Sequence, residues 1–466
     1  MRSKLPDDWQ WVSLAQIVSK IEAGKSFRCE ERPPAGDEHG IVKVSAVTWG
    51  TYDERESKTI TDPDRINDAY LVKPGDFLFS RANTLALVGA CVLVHATNKR
   101  LLLSDKILRF VMPDQLKPWL LWFLRSAQGR QQIEALSTGN QESMRNIGQE
   151  RIGRIQVPLP PPATMQRVLS RIDELFSKID EGERSLERVQ KLGDRYRQSV
   201  LKAAVTGELK NLLNSSDTLP KGWQLRSLAD LSSEKPCNGI SVKGTDSPPG
   251  VAALRLDAMT EAGFDFSARR FIPITAIKAS RLSIRAGDFF VSRANGSLQL
   301  VGRGVLASQP AEPTVFPDTM IRYRLGDSEV LRRWVSMAWS SGWVCQQIKV
   351  KAKTTAGIYK ISQADIAEIT FPVPPTEAEM LQVVEAVELQ ADAWRRVARE
   401  VRKRNRQSSA LRQTILKAAF FGQLVPQNPL SEPASAMLAR LSTQAADGLS
   451  APNRRRSRGD AKGISA

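Results

Sequence analysis

Two long stretches of the chain place apolar residues at alternating steps of four and three, the spacing of a coiled-coil seam. The first seam runs Val168, Ile172, Leu175, Ile179, Gly182, Leu186, Val189, Gly193, Tyr196, Val200 and Ala203. The second runs Val383, Val387, Gln390, Trp394, Val397, Val401, Arg404, Ser408, Leu411, Ile415 and Ala418. Each predicts one long helix. Thr376 and Glu379 offer a capping box at the start of the second, and Gly207 and Gly422 stand where the two helices should stop. Roughly 40 residues at ~1.5 Å per residue make a rod of about 60 Å. The polar residues Gln390 and Arg404 in the seam fix register at a cost in stability. Outside the rods the pattern changes to short strand-like runs broken by turn residues, among them Ile41–Val47, Phe77–Phe79, Val88–Val94 and Ile107–Val111. Pro118–Leu136 intervenes with helical spacing at Leu120, Phe123, Leu124 and Ile133. The mixture is α+β.

This layout occurs twice. Leu5, Pro6, Trp9, Gln10, Ser13 and Leu14 return as Leu219, Pro220, Trp223, Gln224, Ser227 and Leu228. Gly75-Asp76-Phe77 followed by Ser80-Arg81-Ala82-Asn83 returns as Gly287-Asp288-Phe289 followed by Ser292-Arg293-Ala294-Asn295. Leu87-Val88-Gly89 returns as Leu300-Val301-Gly302, and the best match is Arg197–Leu209 against Arg412–Leu424. Each copy closes on a proline-rich step, Val157–Pro162 and Phe371–Pro375, where fixed φ angles and missing donors should end the preceding strand. The expected order is a globular domain over 1–162, a helix over 163–212, a second globular domain over 213–375, a helix over 376–424, and a basic tail over 425–466. The tail is expected to be largely disordered, with a short helix at Ala434–Leu441. Antiparallel pairing of the rods, with one globule at each end, buries both seams and brings the start of the chain to the end of the second rod. The alternative is that each rod packs separately on its own globule or on a partner.

The chain has 466 residues, enough for two cores. Its net charge of +17 favours a polyanionic partner, and nucleic acid is the obvious one. Part of that excess sits in the run Arg454-Arg455-Arg456-Ser457-Arg458, which solvent alone would accommodate. Cys29, Cys91, Cys237 and Cys345 are widely spaced with no CxxC pair, which argues against a zinc ribbon or a disulfide framework and fits a reducing cytoplasm. No signal peptide is evident, and Trp119–Leu124, the most apolar stretch, is too short to span a bilayer.

Catalytic constellations are not found in the sequence. His39 and His95 stand away from acidic or cysteine clusters. Ala23-Gly24-Lys25-Ser26 has the end of a phosphate-binding loop, but Ser19 occupies the position of its first glycine. Pro63-Asp64, Pro113-Asp114 and Pro317-Asp318 lack the downstream Glu-x-Lys strand of a metal-dependent nuclease. Pro248-Pro249 lacks the flanking residues of an amino-methylation motif, and no glycine-rich strand-to-helix turn suggests an adenosylmethionine pocket.

The Leu-Pro-x-x-Trp entries, the Gly-Asp-Phe then Ser-Arg-x-Asn segments, the two proline steps and the paired Leu-Lys-Ala-Ala-x-x-Gly helix ends are collinear. In that order they resemble the specificity subunit of type I restriction-modification enzymes, over nearly the whole chain to about Val425. The resemblance implies two pseudo-repeated α/β target recognition domains separated by two long antiparallel coiled-coil helices. Each domain would read one half of a bipartite, asymmetric sequence in double-stranded DNA. The helices would set the gap between the halves and dock two modification (methyltransferase) subunits, with restriction (endonuclease/translocase) subunits completing the complex. Adenine methylation, ATP hydrolysis and cleavage would belong to those partners, together with S-adenosylmethionine, ATP and Mg2+. No cofactor is expected on this chain. Rival readings are a coiled-coil nucleic-acid-binding adaptor unconnected with restriction, and a standalone DNA-modifying enzyme.

Arg81 with Asn83, and Arg293 with Asn295, follow apolar strands; Arg suits guanine and Asn suits adenine. Being common to both copies, they fit shared work such as phosphate contact or fold maintenance better than base reading. Ser137–Arg145 and Lys351–Lys360 differ between the copies, so Asn140, Gln141, Arg145, Lys351, Lys353 and Lys360 are the stronger candidates for telling two half-sites apart. Solvated loops are the competing reading.

Overall fold

Trp9 and the first proline step meet in one small sheet. In a computed structural model, which describes residues 5–62, 66–141, 144–209, 219–260, 262–355, 357–427 and 432–449, strand Gln10–Ser13 pairs antiparallel with Gln156–Leu159. Strand Gln224–Ser227 pairs in the same way with Thr370–Val373. Within the proline steps these strands end at Leu159 and Val373, immediately before Pro160 and Pro374, as the sequence predicts. Pro158 and Pro372 lie inside two-stranded sheets, opposite Trp11 and Leu225, where a missing N–H costs little at an edge. Their carbonyls accept the indole N–H of Trp119 (2.8 Å) and Trp334 (3.1 Å). Trp9 and Trp223 then pack edge-on against those indoles, at 5.7 and 5.5 Å between ring centroids.

The rest of each repeat is built alike. In the first, a four-stranded sheet has the order Lys20–Ala23, Ile107–Val111, Phe77–Ser80, Cys91–Leu93. In the second, the order is Cys237–Asn238, Met320–Arg324, Asp288–Ser292, Gly304–Leu306. A further sheet centres on His39–Val42 in one copy and Val251–Leu254 in the other, each paired antiparallel to one later strand and parallel to another. The Gly-Asp-Phe motif is structural. Asp76 and Asp288 each accept a backbone N–H three residues back, from Lys73 and Arg285. They also pair with Arg109 (3.1 Å) and Arg324 (2.9 Å) on the adjacent strand.

Several predicted elements are shorter than expected. The Ile41–Val47 run is a strand only to Val42, then a 3-10 turn at Val44–Ala46; Val88–Val94 is a strand only at Cys91–Leu93. The Pro118–Leu136 pattern divides into helices Lys117–Arg125 and Ala127–Leu136. Ser126 separates them, in extended conformation and capping the second through Gly129 N.

The long helices span Pro162–Thr206 and Glu377–Phe420, and both stop at the glycines expected. Gly207 (φ +78°) and Gly422 (φ +70°) adopt the left-handed conformation, and a Cβ on either would strike Pro220 or Pro6 respectively. The chain folds as two units: 1–184 with 404–466, and 185–403. Each unit combines one globular repeat with half of each long helix, and within each unit the two halves pack antiparallel. In the first, Met165, Val168, Leu169, Ile172 and Phe176 share a core with Ile415, Leu416, Ala419 and Phe420, and Arg412 bridges Asp180 and Glu183. In the second, Leu201, Ala204 and Val205 share a core with Met380, Val383, Val384 and Val387. Gly193 lies against Trp394, and the Tyr196 hydroxyl donates to Gln390 Oε1 at 3.1 Å. The seam is not uniformly covered: Val189, Tyr196, Val397 and Leu411 are exposed. Burial instead widens to adjacent pairs such as Val383 with Val384 and Ile415 with Leu416, where a helix touches the other helix and the globule together.

The tail also departs from expectation. Ala434–Leu449 is a helix longer than the one predicted; Ala434 and Met437 are buried, and Leu438 and Leu441 pack on the first core. Pro63, Asp64, the Arg454–Arg458 run and Gly459–Ala466 lie outside the described residues.

Candidate nucleic-acid interface

Nine of the ten candidate residues gather at two equivalent small sheets, and Lys351 ends the helix leading into one of them. In the first repeat Ala82–Asn83 pairs with Met144–Asn146, which pairs with Thr138–Gln141. In the second, Ala294–Asn295 pairs with Ile358–Lys360, which pairs with Lys353–Thr355. The shared arginine crosses from the large sheet to the small one by its backbone. Arg81 N donates to Lys106 O (3.0 Å) and its carbonyl accepts from Ile147 N (2.9 Å). Arg293 does the same with Thr319 O (2.8 Å) and Ile361 N (2.9 Å). The common Ser-Arg-Ala-Asn segment thus joins two layers, and the hairpin that differs between copies is laid alongside it.

Side chains separate the candidates further. Asn83 and Asn295 turn their Oδ1 atoms back to nearby backbone, to Thr84 N (2.8 Å) and Ser297 N (3.1 Å). Arg81 reaches Asn146 at 3.4 Å and Arg293 reaches Asn238 at 3.5 Å, both long contacts. Arg145 is committed to its own hairpin: it donates to the carbonyls of Gly139 (2.8 Å) and Ser137 (3.0 Å) and to the Ser137 hydroxyl. Arg145→Ala is therefore expected to loosen this hairpin by about 1–2 kcal/mol, seen as faster amide exchange in Thr138–Asn146. Unchanged exchange would contradict that role. Asn140 and Gln141 sit on strand Thr138–Gln141.

Lys351, at the end of helix Gly342–Lys351, is bound to Glu368 at 2.9 Å. That contact raises the lysine pKa. Lys353 and Lys360 are exposed and directly opposite each other across the hairpin. Like charges so placed repel, and an anion between them removes the penalty.

Asn295 also borders a cleft of about 740 Å3 in the second repeat, lined among others by Arg255, Arg270, Arg303 and Asp318. Motif reading missed the three arginines because they belong to no repeated motif, and it met Asp318 only in a Pro-Asp pair. The available signal was register: Lys58 stands opposite Ile41 as Arg270 stands opposite Ala253, and Ala90 bonds Ser80 N as Arg303 bonds Ser292 N. The fragment Ala23-Gly24-Lys25-Ser26 has a packing role instead, because a Cβ on Gly24 would overlap the Leu103 carbonyl. Among the described residues, no group of three or more His, Cys, Asp or Glu is arranged to hold a metal ion. No helix among them is long and apolar enough to cross a membrane.

No protein-family model matches the chain. The type I restriction enzyme StySPI specificity subunit of Salmonella potsdam is 25% identical over 436 residues, covering 91% of both chains. The EcoKI specificity subunit of Escherichia coli (strain K12) is 24% identical over 432 residues, again with 91% of both chains covered. The EcoEI specificity subunit of Escherichia coli is 33% identical over 190 residues, 40% of this chain and 32% of that one. A solved structure concerned with complex assembly and conformational transition of the type I R-M system shares the fold. Its TM-score is 0.61 at 17% identity, covering 91% of this chain and all of the other. Over nine-tenths of its length, then, the chain is similar to specificity subunits of type I restriction enzymes, and the solved structure shares its fold.

Proposed function

We propose that this chain supplies DNA sequence specificity to a type I restriction-modification complex, each globular repeat reading one half of a bipartite target. The observation that carries this reading is the pair of equivalent three-stranded sheets. Both have the same frame, contributed by the Ser-Arg-Ala-Asn segment, and each carries a different hairpin, Thr138–Asn146 or Lys353–Lys360. A shared frame suits contacts common to any duplex, and a divergent hairpin suits different sequences. The net charge of +17 suits a phosphate-rich partner.

In this reading the long helices hold the gap between half-sites constant and dock two modification subunits, and restriction subunits complete the assembly. Adenine methylation, with S-adenosylmethionine, and ATP- and Mg2+-dependent cleavage fall to those partners in the cytoplasm. Two readers joined by a stiff spacer bind as one multivalent unit, and a rod tolerates few alternative spacings.

The test is to map methylated adenines in cells that express this chain with its modification subunits, then to repeat it after inserting one heptad into each long helix. The expected result is a longer gap between unchanged half-sites. An unchanged gap refutes the ruler, and absence of any bipartite methylated motif refutes the whole reading. Replacing Lys353 and Lys360 by glutamine should relax the sequence preference in one half-site and leave the other half-site unchanged. Selection of bound duplexes from a randomised pool measures it, and uniform weakening on every sequence would assign these lysines to phosphate instead.

A further inference from the structure

Resting on the function proposed above, we infer that the cleft beside Asn295 is a base-reading pocket of the second repeat, built to take the major-groove edge of a G·C pair. The argument starts from what lines it. Arg270 comes from the strand Arg269–Ile272, and its Nε is buried without a hydrogen-bond partner. Such a donor is costly unless something else satisfies it. Arg303 is anchored by one hydrogen bond to the Met259 carbonyl (3.0 Å), and Arg255 by Asp257 (3.1 Å). Asp318 is exposed on the rim.

Arginines alone would suit phosphate, but two carboxylates among them repel an anion. A base-pair edge with acceptors and a donor together fits better. Guanine O6 and N7 accept two bonds from a guanidinium, and the cytosine amino group donates to a carboxylate. Arg270 is assigned to guanine and Asp318 to cytosine, with Arg303 and Arg255 confining the edge from the sides.

At the register-equivalent positions the first repeat keeps the carboxylate, Asp105 standing where Asp318 does, but not the arginines at 270 and 303. Lys58, in the place of Arg270, is ion-paired with Glu31, and Ala90 stands in the place of Arg303. The two repeats thus differ where a difference in sequence preference requires it, on the same framework.

The experiment uses the full chain with its modification subunits and selects bound duplexes from a randomised pool, first for the natural protein and then for Arg270→Gln and Asp318→Asn. The natural complex should select a G·C pair at a fixed position in one half-site. Each variant should lower that preference roughly tenfold, leaving the other half-site and the gap unchanged. Asp318 is exposed, so its variant keeps the test open if Arg270→Gln fails to fold, as thermal unfolding would reveal. Three outcomes overturn the inference: an unaltered preference in a folded variant, a half-site with no G·C pair, or uniform weakening with a shallower salt slope, which marks phosphate contact. A natural complex that selects no bipartite sequence overturns the underlying function instead, and this inference with it.

Discussion

Ending the chain at Lys403 is expected to abolish cooperative unfolding of the first recognition unit, although residues 5–184 would all remain. The reason is that this unit's core is completed by the far end of the sequence. Ile415, Leu416, Ala419 and Phe420 are buried in it, and the Phe420 ring packs edge-on against Trp119 (4.9 Å) and Phe123 (5.2 Å). The entry segment is held from the same side: Trp9 donates to Gln427 Oε1 at 3.1 Å, and Gly422 packs on Pro6. Burying Ile415, Leu416 and Phe420 is worth roughly 1.5–3 kcal/mol each. Their sum rivals the ~5–15 kcal/mol stability of an ordinary domain. The milder Phe420→Ala should cost about 3–5 kcal/mol and keep a single transition. Denaturant unfolding followed by tryptophan fluorescence separates these outcomes. A truncated chain that keeps the full-length midpoint would show that the first repeat is self-sufficient.

Such closure by a distant segment was legible in the sequence only as a consequence of the duplicated seams. The helix ends, the glycine stops and the repeat boundaries follow from residue spacing, because periodicity and left-handed caps are local signals. Val189, Tyr196, Val397 and Leu411 fell outside the buried stripe, since helical period drifts from a strict heptad over many turns and the globules claim neighbouring faces. The pairing of Pro158 inside a strand was not legible, because its partner strand lies far away in sequence, at Gln10–Ser13. The candidate interface was half legible. Divergent hairpins and the common Arg and Asn were visible as repeat differences and identities. What they do depends on neighbours that sequence spacing does not supply: Arg145 is spent on Ser137 and Gly139, and Lys351 on Glu368, leaving Lys353 and Lys360 facing each other.

Register between the helices rests on a close approach whose sign can be tested. Gly193→Ala is expected to destabilise the second unit by about 1–3 kcal/mol, although alanine is the better helix former by about 1 kcal/mol. The added Cβ would lie 1.8 Å from Trp394 Cη2 and 2.0 Å from Cζ3, so one residue must leave its place. Propensity alone predicts the opposite sign, which makes the measurement decisive. Trp394→Ala also costs stability by emptying the space over Gly193, but Gly193→Ala added to it should now be neutral or stabilising. That reversal gives a coupling of about 0.5–3 kcal/mol in a double-mutant cycle. One turn away, the Tyr196 bond to Gln390 gives the polar seam position its partner, so a slipped register breaks this bond and the Gly193–Trp394 packing together. If the spacer sets the gap between half-sites, the single variant should also broaden the distribution of gaps among methylated sites, and the double variant should narrow it again. A cycle with no coupling would mean that the register is fixed elsewhere, by the globules that clasp the helix ends.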